Sequence, residues 1–162
     1  MKKINVTCIC AEAEEYPGCA DLLYSYSEVN VIALSTSLVG GASTQALAQS
    51  DVLLLDESVL CRDGVQSVRS VHTRFPQLNI LMVYKKKLNN SMLYYLSIGI
   101  RGLLEHNSRI SQLRRAIPAL YAGEIWMPRG LVPSLRNQSS SNIGTSSWEL
   151  VSSLMPEPGK IN

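Results

Sequence analysis

The sequence predicts a doubly wound α/β domain: a five-stranded parallel sheet in the order 2-1-3-4-5, helices on both faces, and a short helical extension at its carboxyl end. Three observations predict it. Short apolar strand-like runs alternate with stretches of helical period from Ile4 to Tyr121, the pattern of strands joined by helical crossovers. The run Asp51-Val-Leu-Leu-Leu-Asp56 is apolar without alternation, as a strand buried on both faces requires. Right-handed crossovers then leave few topologies, of which 2-1-3-4-5 is one.

The elements follow in order. Ile4–Cys10 is a strand rich in Ile, Val and Cys. Tyr16–Tyr26 spaces Cys19, Leu22, Leu23 and Tyr26 along one helix face. Val29–Leu34 is a second strand. Gly40-Gly41 breaks the chain before a helix over Ala42–Gln49, and Asp51–Asp56 is the third strand. Gly64–Arg74 aligns Val65, Val68 and Val71 on a helix that Pro76 ends. Asn79–Tyr84 is the fourth strand. Asn90–Ile98 is a helix with Ser91 as cap and Gly99 as stop. Gly102–Leu104 is the fifth strand. Ser108–Tyr121 places Ile110, Leu113, Ile117 and Leu120 on one helix face, with Gly123 as its stop. Trp126–Leu135 reads as a short sixth helix packed on the sheet domain, and Asn137–Ser141 as a polar linker. This divides the chain into a sheet domain at 1–125, an extension at 126–136 and a tail at 137–162. The topology is flavodoxin-like.

Composition narrows the function classes. Hydrophobic residues make up 46% and charged residues 17%, a balance that builds a packed core and argues against a disordered chain. No apolar run approaches the ~20 residues that span a bilayer, and no signal peptide is evident, so a cytoplasmic location without a membrane partner is expected. Residues 1–76 carry five Lys/Arg and nine Asp/Glu, and residues 77–162 ten and four. That asymmetry suits charge-complementary self-association or an anionic ligand more than nucleic acid. Cys8, Cys10, Cys19 and Cys61 form no C-x-x-C pair and read as small buried thiols in a reducing compartment. His72 and His106 are too far along the chain to complete an evident metal site with them.

Functional groups of parallel α/β sheets gather at the carboxyl ends of the strands. Asp56 ends the third strand, and an Asp63-Gly64 pair follows seven residues later. Residues 51–64 resemble the phosphoacceptor region of response-regulator receiver domains. Ile98-Gly-Ile-Arg-Gly102-Leu-Leu resembles that family's approach to its fifth strand. Ala116–Arg129 resembles the end of helix five in regulators with a LuxR-type DNA-binding output. Together these pieces span about residues 4 to 132. The resemblance implies a signalling and dimerisation module of a two-component transcription regulator, not an enzyme, working as a homodimer.

Departures from the family bear on the chemistry. A receiver holds magnesium with an acidic pair after strand one, and the cation neutralises the incoming phosphoryl group. The matching residues here are Cys10 and Ala11, so magnesium is expected only if Glu12, Glu14 and Glu15 rebuild the pocket. The small hydroxyl residue after strand four is replaced by Tyr84, followed by Lys85. The lysine after strand five is replaced by His106, and the proline four residues past the phosphoacceptor by Leu60. The expectation is a degenerate pocket in which Asp56 is an inherited strand-end carboxylate, paired with Lys85 or His106, and signalling does not depend on phosphorylation. A phosphoacceptor with a rebuilt acidic pocket is the alternative.

Two further segments carry resemblances. Trp126-Met-Pro-Arg129 is similar to the W-[F/L/M]-[T/S]-R motif of biofilm regulators of the VpsT/CsgD type, which bind cyclic di-GMP. In that reading Trp126 stacks on a guanine and Arg129 bonds a phosphate or the guanine edge. Pro128 departs from the motif by removing a hydroxyl and a backbone N–H. Trp148-Glu-Leu-Val151 resembles the first helix of a LuxR-type helix-turn-helix domain, and no recognition helix follows. DNA is therefore expected to be reached only through an output domain beyond this sequence, truncated or lost from it.

Overall fold

The computed structural model describes residues 2–10, 26–40, 44–85, 92–106, 108 and 110–128. Its strands are β1 (Ile4–Ile9), β2 (Val29–Ser35), β3 (Val52–Asp56), β4 (Asn79–Tyr84) and β5 (Ile100–Glu105). Its helices are α1 (Thr44–Gln49), α2 (Glu57–Asp63), α3 (Val65–Arg74), α4 (Met92–Ser97) and α5 (Ile110–Tyr121). All strand pairs are parallel, in the order β2-β1-β3-β4-β5, as the sequence predicts. The expected helix from Tyr16 falls almost wholly outside the described residues, as does the Ser91 cap.

Strands β1, β3, β4 and β5 divide their side chains between two cores because alternate residues face opposite sides. Leu53, Leu55, Ile80 and Met82 pack beneath Val59, Leu60, Val68, Val71 and Tyr95 of α2, α3 and α4. Val6, Cys8, Val52, Leu54, Leu81 and Val83 pack beneath Leu113, Ala116, Ile117 and Leu120 of α5. Every residue of β3 is buried, which accounts for its uninterrupted apolar sequence. The β4–β5 register slips by one residue at Arg101, a bulge that leaves Ile100 and Leu103 in the same core. Gly102 lets α5 lie close on the sheet: a Cβ there would sit 2.7 Å from Leu81 Cδ1 and 3.1 Å from Leu120 Cδ1.

Several local expectations are corrected. The stretch after Asp56 is a helix of its own, α2, which ends at Gly64, with φ 87°. Trp126, Met127 and Pro128 are not helical. Trp126 forms a parallel bridge with Gly102, and a residue preceding proline, here Met127, is biased toward extended backbone. The rest of the predicted sixth helix lies outside the described residues. Cys8 is buried, Cys10 half-buried and Cys61 exposed, so the expectation of buried thiols fails for Cys61, which sits on the outer side of α2.

Candidate functional site at the carboxyl edge of the sheet

β3 delivers Asp56 to the carboxyl edge, where it is 2% exposed. Its backbone is still extended (φ −79°, ψ 138°), and the next residue is already helical. The Asp56 carboxylate accepts the Ser58 N–H at 3.1 Å. It thus caps α2, satisfying one of the N–H groups that a helix start leaves without an intrahelical partner. Glu57 follows in the first turn, where negative charge favours the helix dipole.

The register sets Asp56 beside Val83, and Tyr84 beside Glu105. Ile9 pairs with Leu55, so Cys10, one step on, reaches the level of Asp56. The Cys10 N–H donates to the Ser35 carbonyl at 3.0 Å. Tyr84 is buried. That burial raises its phenol above the ordinary tyrosine range, and the negative charges of Glu105 and Glu57 raise it further. The Lys85 N–H donates to Glu57 Oε2 at 3.4 Å, tying β4 to α2. The His106 N–H donates to the Tyr84 carbonyl at 2.7 Å, extending the β4–β5 ladder past Glu105.

Five of the residues singled out in the sequence, Cys10, Asp56, Tyr84, Lys85 and His106, therefore share one edge. Ala11, Glu12, Glu14, Glu15 and Arg129 lie outside the described residues. The sequence reading missed Glu57 and Glu105, whose charges act on the Tyr84 phenol. It also missed the cap, although Asp-Glu-Ser at a strand end is a helix-start signal. Magnesium demands several hard oxygen ligands. Cys10 brings a soft sulfur instead, and among the described residues no group of three His, Cys, Asp or Glu gathers to hold a metal ion.

Trp126 lies away from this edge, alongside Gly102. It is 5% exposed and belongs to the core under α5. The Arg115 guanidinium stands 5.9 Å from its ring centroid, within cation–π range.

A second polar cluster closes the far end of α2. The Asp63 carboxylate accepts the Leu38 N–H at 2.8 Å, the Ser37 hydroxyl at 3.0 Å and Arg62 Nε at 2.9 Å. Arg62 also donates to the Thr36 carbonyl. Chiefly through Arg62, with help from the Leu38 amide and the Ser37 hydroxyl, Asp63 is held down to about 2. Asp63 and Arg62 thus pin the loop that follows β2.

No family model and no curated protein matches the sequence. Solved structures do match. The response regulator ChrA of a heme-sensing two-component system is 19% identical, with a TM-score of 0.66 over 86% of this chain and 67% of that one. The apo receiver domain of RcsB from Salmonella enterica serovar Typhimurium is 22% identical, with a TM-score of 0.67 over 83% and 99%. The receiver domain of NarL from Mycobacterium tuberculosis is 21% identical, with a TM-score of 0.63 over 76% and 100%. At such identities the likeness is one of fold, and this chain has the five-stranded fold of response-regulator receiver domains.

Proposed function

We propose that the chain is the receiver module of a two-component-type transcription regulator. In this reading it signals by association with a second copy, and phosphoryl transfer to Asp56 does not set its state. The observation that carries the reading is the employment of Asp56 as the buried cap of α2, beside a thiol at Cys10 and a buried phenol at Tyr84. Phosphoryl transfer joins two anionic groups and depends on positioned positive charge. The described edge offers an exposed Lys85, a half-buried His106 and two carboxylates near Tyr84. Rebuilding the pocket with Glu12, Glu14 and Glu15 is the runner-up reading.

The domain plan follows: a receiver at 1–125, an extension at 126–136, and at 137–162 a linker and the start of a truncated or lost helix-turn-helix output domain. RcsB, one of the structural neighbours, is seen as dimers bound to DNA. DNA contact by this regulator would likewise belong to the output domain. The burial of Trp126 favours a packing role for it over stacking on a cyclic dinucleotide. Among the described residues no helix is long and apolar enough to cross a membrane.

The test is incubation with a small-molecule phosphodonor and magnesium, followed by intact-mass measurement. No phosphoryl adduct is expected. A magnesium-dependent adduct that disappears in Asp56→Asn overturns the reading and promotes the rebuilt pocket.

A further inference from the structure

The two edges of the sheet are finished differently. Outside β5 runs the segment around Trp126: the Leu103 N–H donates to the Trp126 carbonyl at 2.9 Å, and the Trp126 N–H donates to the Arg101 carbonyl at 3.1 Å. That edge is covered at Arg101–Leu103. At the other side β2 pairs with β1 and, among the described residues, with no further strand. Proteins ordinarily blunt such an edge with charge, proline or a bulge, because its outward N–H and C=O groups template another strand. Residues 29–50 contain no Asp, Glu, Lys, Arg or Pro. A one-residue register slip at Ile32 is present, ahead of Leu34.

Two of the exposed residues of this edge are large and apolar. Leu34 is 54% exposed and Val39 65%. The Ser35 carbonyl faces β1, accepting from Cys10, so the alternation along the strand turns the amide and carbonyl of Leu34 outward. Val39 is held, not loose. Leu38 is buried, its N–H bonded to Asp63. The Ser37 hydroxyl donates to Asp63 at 3.0 Å and accepts the Val39 N–H at 3.1 Å. Asp63 and Arg62 thus fix an apolar knob in place on the solvent side, which lowers the ordering cost of a contact made there.

We propose that the β2 edge, from Val31 to Val39, is the surface through which two copies of this chain associate, β2 against β2 antiparallel about a two-fold axis. The inference rests on the dimer reading above and names its surface. A second copy is the occupant because a strand without charge meets no like charge when it faces itself. With the β5 edge covered, two-fold pairing closes after two copies instead of growing into a fibre.

The experiment is the mass of the full chain by light scattering across a concentration series. Wild type, Leu34→Lys, Val39→Lys and Arg115→Glu are compared, with thermal melts confirming that each variant folds. Val39→Lys alters an exposed loop position and keeps the test informative should Leu34→Lys misfold. The wild type is expected to dimerise. Each lysine, placing a charge without a partner in the apolar contact, raises the dissociation constant by about 100-fold or more, and Arg115→Glu, on α5, leaves it unchanged. A dimer indifferent to both lysines and broken by Arg115→Glu overturns the edge inference while sparing the dimer reading. A monomeric wild type at every concentration overturns both.

Discussion

Replacing Asp56 by Ala and by Asn separates a capping role from a purely electrostatic one. The carboxylate accepts the Ser58 N–H at 3.1 Å, and removing an N-cap acceptor costs about 1 kcal/mol, within a range of about 0.5–2. Ser58 is exposed, so water replaces part of the lost bond and keeps Asp56→Ala near ~1 kcal/mol. For a domain of this size that lowers Tm by roughly 3–5 °C. Asn caps about as well as Asp, so Asp56→Asn is expected within about 0.5 kcal/mol of wild type. The assay is urea or thermal unfolding of the three proteins side by side. If Asn is as damaging as Ala, the charge of Asp56 matters more than its cap. If both are silent, the cap contributes nothing.

Two further perturbations test the rest of the frame. Asp63 falls from an ordinary 3.8 to about 2 in the folded chain, so its contribution to stability is complete above pH ~4 and is lost as pH falls toward ~2. Asp63→Asn should therefore flatten the acid limb of the urea midpoint against pH, and an unchanged limb would show that the loop is held by other means. Gly102→Ala places a Cβ 2.7 Å from Leu81 Cδ1 and 3.1 Å from Leu120 Cδ1. The overpacking should cost about 1–3 kcal/mol in chemical denaturation, and a neutral result would mean that α5 can move away freely.

What the residues alone determined is the alternation and order of elements and the position of Asp56 at a strand end. Those features are local. A strand buried on both faces must be apolar throughout, as β3 is, and a helix lying on a sheet must repeat its apolar residues, as Leu113, Ala116, Ile117 and Leu120 do. What only the tertiary structure decided depends on residues distant in sequence. α2 has seven residues and buries only Val59 and Leu60, too few to show a helical period. Trp126 was legible as an aromatic near the end of α5, but its burial depends on β5 lying alongside. The raised phenol of Tyr84 needs Glu57 and Glu105, which belong to neighbouring elements. Among the described residues β2 has no strand on its outer side because the strand order leaves it outermost. Periodicity reports which face of an element is buried. It does not report which neighbour buries it, and charge, capping and exposed edges all turn on the neighbour.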